Sequence, residues 1–145
     1  IRAEIGINFF GSATGSLMYL IGSIFFIPSL DMLPAGEFFF IYGSLVIFFS
    51  QLWKCLRTTF IGGFKLSNLT DDFSGFIVDL CAGLGGLCYY YGTVIFRDMV
   101  TEYDQNIASH WFVTGGTFFT LSGLAMQYRY YLQPSEKKNE EDNIV

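Results

Sequence analysis

The sequence predicts an all-α integral membrane fold, with four transmembrane helices arranged as two tandem helical hairpins. Three observations carry this. The first is composition: 52% of the 145 residues are hydrophobic and 14% are charged, where a soluble domain carries roughly a quarter charged residues. Mean hydropathy is +0.42, and 17 Phe and 9 Tyr bring aromatics to 19%. That is more apolar surface than one small core can bury, so lipid must cover the rest. The second is spacing, because four long apolar segments alternate with short polar breaks. The third is an internal repeat, which sets the unit of a fold. Leu17-Met18-Tyr19-Leu20-Ile21-Gly22-Ser23-Ile24-Phe25-Phe26 returns as Leu87-Cys88-Tyr89-Tyr90-Tyr91-Gly92-Thr93-Val94-Ile95-Phe96, about seventy positions on.

The first span runs from Ile5 to Leu30 without a charge, enough to cross a hydrocarbon core of about 30 Å. Pro28, Asp31 and Pro34 end it. The second runs from Glu37 or Phe38 to Trp53 and leaves through Lys54 and Arg57, with Lys54 snorkelling to the interface. The third runs from Phe73 to Phe96, with Asp79 near its start. The fourth runs from Ile107 to Tyr128 and stops at Arg129. The domain division is therefore a first hairpin at 1–58, a linker at 59–72, a second hairpin at 73–131 and a polar, disordered tail at 132–145. The chain begins with Ile1, as a processed chain or a segment of a longer one would.

Charge sets the orientation. Arg2, the linker with Lys54, Arg57 and Lys65, and the exit with Arg129, Lys137 and Lys138 are basic. The first hairpin loop carries Asp31 and Glu37 but no Lys or Arg. By the positive-inside rule, both termini face the cytoplasm, stroma or matrix, and both hairpin tips face the other side. Arg97 dissents. Trp53, Trp111, Tyr128, Tyr130 and Tyr131 fall at span ends, where amphipathic rings favour the interface.

Small residues mark the helix seams. Gly11, Gly15, Met18 and Gly22 share a stripe, and Cys81, Gly85, Cys88 and Gly92 repeat it. Membrane helices associate where small side chains let backbones approach. The second and fourth spans correspond at about seventy-two positions: Gly43-Ser44 matches Gly115-Gly116, and Ser50, Leu52 and Arg57 match Ser122, Leu124 and Arg129. Both halves keep one orientation, so the repeat is parallel and not inverted. Two hairpins packed as a four-helix bundle follow. Cys55, Cys81 and Cys88 read as small packing residues.

The run Leu20-Ile21-Gly22-Ser23-Ile24-Phe25-Phe26, an acidic and Pro-containing loop, then Ile41-Tyr42-Gly43-Ser44-Leu45 and a basic exit through Arg57 resembles the YrhK-like domain. The resemblance covers most of residues 7–57, with a diverged second copy at about 74–131. It implies a small two-helix membrane module and no catalytic residue.

Chemistry-bearing residues are few. His110, the single histidine, is the candidate axial ligand for a chlorophyll magnesium or haem iron; the alternative is an interfacial polar residue. Asp79 is the candidate intramembrane polar site; the alternative places it at the water boundary, and no facing span offers it an obvious basic partner. Asn8 and Gln51 are candidates for hydrogen bonds between helices. Of Tyr89, Tyr90 and Tyr91, at least one hydroxyl needs a partner in the membrane. Asn68-Leu69-Thr70 matches a glycosylation acceptor but falls on the wrong side. The aromatic excess suits lipid tails, or a flat wall for pigments, quinone or partner helices. A metal cluster, a nucleophilic triad, a phosphate loop and a basic nucleic-acid face are all missing from the sequence.

The expected function is a non-catalytic accessory subunit of a larger membrane complex, photosynthetic or respiratory, in a thylakoid or mitochondrial inner membrane. Its partners are membrane lipids and other integral membrane subunits, with no nucleic acid. No cofactor is required; chlorophyll, carotenoid or lipid at the periphery is compatible. The alternatives are a small transporter or channel, and a pigment-binding subunit using His110.

Overall fold

The computed structural model describes residues 2–60, 73–98 and 101–131. Among these the chain is all-α, with four long helices and no strand: α1 (Arg2–Phe25), α2 (Leu33–Phe60), α3 (Phe73–Arg97) and α4 (Glu102–Tyr131). The Asn68-Leu69-Thr70 triplet, Lys65, Lys137, Lys138, the Asn8 side chain, the tail and most of the 59–72 linker lie outside the described residues.

The tip of the first hairpin is built from its turn residues. α1 ends as Phe26 N–H reaches Gly22 C=O at 3.1 Å. A short 3-10 turn, Pro28–Leu30, follows, and Asp31 closes it in the left-handed region at φ 49°. Aspartate tolerates that geometry better than most residues. Helix α2 then begins at Leu33, earlier than Glu37 or Phe38. Pro34 sits within its first turn instead of breaking the helix, because backbone N–H groups there have no intrahelical partner to lose. α2 also continues past Trp53, Lys54 and Arg57 to Phe60.

α4 likewise starts at Glu102, not Ile107. Thr101 and Asp104 form a reciprocal cap: Asp104 N–H donates to Thr101 Oγ1 at 3.2 Å, and Thr101 N–H donates to Asp104 Oδ2 at 3.1 Å. This satisfies donors that would otherwise be orphaned at the helix start.

Packing runs in chain order. α1 lies on α2, α2 on α3 and α3 on α4, while α1 and α4 do not pack along their length. The expected four-helix bundle is open along one edge. Helices α2 and α3 form the centre, and α1 and α4 flank it. Two helices, Leu33–Arg57 and Phe73–Arg97, are long and apolar enough to cross a membrane. In α1 the apolar part is the shorter Phe9–Phe25, and α4 falls below the same measure with its Gly, Ser and Thr content.

Candidate functional site

The helix seams are built by close backbone approach. A Cβ on Gly15 would lie 2.5 Å from Ile47 and 3.2 Å from Gly43 C=O. One on Gly22 would lie 2.6 Å from Phe40 and 3.2 Å from Gly36 C=O, and one on Gly11 2.9 Å from Ser50 Oγ. The second hairpin repeats these contacts: Gly85 meets Phe119, Gly92 meets Phe112, and Gly115 meets Tyr89 and Cys88 as Gly43 meets Tyr19 and Met18. Three contacts thus recur with partners shifted by the same intervals as the sequence repeat. Gly116 differs, since a Cβ there would meet only the Tyr89 hydroxyl at 3.8 Å; Gly115 alone makes the close approach.

Gly36 and Gly86 are seam residues that the stripes did not single out. Gly36 completes a seven-residue spacing with Gly43 and Ser50, a signal present in the sequence. Gly86 joins the hairpins: a Cβ there would lie 3.1 Å from Ser44 C=O and 3.3 Å from Phe48 N. Nothing local distinguishes Gly86 from its neighbour Gly85; only the rotation of α3 between α2 and α4 does.

Polar ties cross the same layer. Gln51 Nε2 donates to Ser12 Oγ at 3.3 Å between α1 and α2, and Ser122 Oγ donates to Val78 C=O at 2.8 Å between α3 and α4. Between α2 and α3, Lys54 Nζ lies 3.1 Å from Asp79 Oδ1. This corrects the expectation that Asp79 has no basic partner. Lys54, read as a snorkelling end, is held by the acid of the next hairpin. The pairing depends on the register of two helices far apart in sequence, so neither segment alone reveals it.

Higher in the layer, Tyr19 Oη donates to Ser44 Oγ at 2.8 Å while Ser44 Oγ donates to Phe40 C=O at 2.6 Å. Ser44 is fully buried. The tyrosine hydroxyl that finds a partner is thus Tyr19; among the described residues those of Tyr89, Tyr90 and Tyr91 make no hydrogen bond. Replacing Tyr19 by Phe leaves Ser44 bonded, and should cost about 0.5–1 kcal/mol. Ser44→Ala leaves the tyrosine hydroxyl unpaired, and should cost about 1–3 kcal/mol. Thermal unfolding in detergent checks that order.

His110 is exposed near the start of α4. Its carbonyl accepts the Thr114 hydroxyl at 2.8 Å. Among the described residues no cluster of three His, Cys, Asp or Glu could hold a metal ion. Cys55, Cys81 and Cys88 are buried and form no disulfide among the described residues. The structure does not bring His110 and Asp79 together, since they lie toward opposite ends of the α3–α4 hairpin.

The open edge between α1 and α4 holds two adjoining clefts. One, about 250 Å³, is lined by Phe26, Phe40, Tyr89, Phe96 and Phe112. The other, about 380 Å³, shares Phe40 and Tyr89 and adds Ser16, Tyr19, Ser23, Ile47 and Phe119. No protein-family profile, curated protein or solved structure matches the chain.

Proposed function

We propose that the chain is a four-span membrane protein that serves as a non-catalytic structural subunit of a larger membrane assembly. The observation that carries this is the distribution of exposed apolar side chains. Phe9, Phe10, Val113 and Met126 are 60–72% exposed, and similar residues cover the outer faces of all four helices. Water would leave such surface uncovered at high cost, whereas lipid or neighbouring helices cover it. The two longest apolar helices support membrane insertion, and α1 and α4 insert as their hairpin partners.

The repeated seam contacts support a duplicated hairpin; the likeness to the YrhK-like module rests on the sequence resemblance alone. The host is a photosynthetic or respiratory complex in a thylakoid or mitochondrial inner membrane, and both termini lie on the stromal or matrix side. The ion pair with Lys54 removes support from a transporter reading in which Asp79 moves protons.

Two measurements test the proposal. In mild detergent the chain should migrate with a large complex; migration alone counts against the accessory role. In sealed membranes, protease protection should place the turns near Asp31 and Asp98 on one side. Opposite sides would end the duplicated-hairpin reading.

A further inference from the structure

The internal repeat makes the open edge informative. A two-fold relation of the hairpins carries the α2–α3 seam onto α4–α1. Under it Gly86 and Ser44 correspond to Ser16 and Gly116, and Asp79 and Lys54 to Phe9 and Met126. One seam closes on a glycine and is pinned by an ion pair. Among the described residues its counterpart shows neither, and Phe9 and Met126 stay 70% and 60% exposed. The space left is lined by equivalent residues from both halves: Phe26 with Phe96, rings 6.2 Å apart, Tyr19 with Tyr89 at 5.9 Å, and Phe40 with Phe112.

One polar difference breaks this symmetry. Tyr19 bonds Ser44, whereas Tyr89 faces Gly116, the position equivalent to Ser44, and its hydroxyl makes no hydrogen bond among the described residues. A donor is thus left on the wall shared by both clefts. The larger cleft, about 380 Å³, falls within the about 300–1,000 Å³ of small-molecule sites, and the smaller one, about 250 Å³, adjoins it.

We infer that the α1–α4 cleft binds a quinone, whose flat apolar ring lies among the paired aromatics and whose carbonyl accepts the Tyr89 hydroxyl. Depth selects this class over a phospholipid ester. Tyr89 stands eight residues inside the Arg97 end of α3, about 12 Å at the helical rise, below the headgroup level where ester carbonyls lie. The inference rests on membrane insertion but not on the accessory role.

The test is a titration of the detergent-purified protein with decylubiquinone, read by quenching of tryptophan fluorescence. Saturable quenching is expected, weakened about three- to tenfold by Tyr89→Phe and by Gly116→Ser. The first removes the donor and the second gives it a protein partner in space that the structure leaves open. Circular dichroism melts should show both variants folded. Non-saturating quenching that is identical in all three proteins would overturn the inference. So would equal displacement by phosphatidylcholine, which marks a lipid-chain groove, or cross-linking of a second copy across α1 and α4. Saturable binding by a chain that proves water-soluble would sink membrane insertion instead.

Discussion

Gly86→Leu should unfold or loosen the protein, because the added side chain strikes backbone atoms of α2. The added Cβ would sit 3.1 Å from Ser44 C=O and 3.3 Å from Phe48 N. Neither atom can rotate away as a flexible side chain can. The only relief is to separate α2 from α3, which also lengthens the Lys54–Asp79 contact. Overpacking of this kind costs about 1–3 kcal/mol or more, and here no other contact of comparable extent joins the hairpins. A matched control is Gly123→Leu on α4, where a Cβ would meet nothing within 4 Å. In detergent melts the first variant should lose most of its cooperative transition, and the second should follow the parent closely. Equal melting of the two would mean that the seam at Gly86 does not hold the hairpins.

The second large effect concerns Lys54 and Asp79. Their side chains are 37% and 18% exposed, so the pair is neither fully solvated nor fully buried. Solvent-facing pairs contribute about 0–1 kcal/mol, while breaking a buried pair costs about 3–5 kcal/mol. An intermediate loss of about 1–3 kcal/mol is expected for Asp79→Leu, which takes the carboxylate from beside the Lys54 ammonium. Lys54→Met should cost a similar amount by stranding the carboxylate. Lys54→Met combined with Asp79→Leu should recover most of the loss, since neither charge is then left uncompensated. Unfolding of all four proteins in one detergent checks this cycle, and strictly additive single losses would show that the two groups are not coupled.

The seams within each hairpin were legible because they are local. Gly15 and Gly43, or Gly85 and Gly115, lie one loop apart in small-residue stripes, and the repeat states each contact twice. The reciprocal cap of Thr101 and Asp104 starts α4 at Glu102, ahead of the apolar run that begins at Ile107. Pro34 was read as a break although proline is compatible with a first helical turn. The contacts between hairpins were not legible. Which side of α3 faces α2 depends on the rotation of the whole second hairpin, and that rotation separates Gly86 from Gly85 and brings Asp79 to Lys54. The open α1–α4 edge follows from the same rotation. Substitution of Ser16 and Gly116 for a glycine and a serine marks it in the sequence only once the closed seam is known.

The inequality of the two edges gives the molecule a spine. With an ion pair and a glycine contact along one side and, among the described residues, neither along the other, the halves can part like the covers of a book, widening the fore-edge while the binding holds. Any separation of the two halves is therefore expected to begin at the α1–α4 flank, whatever covers the outer faces.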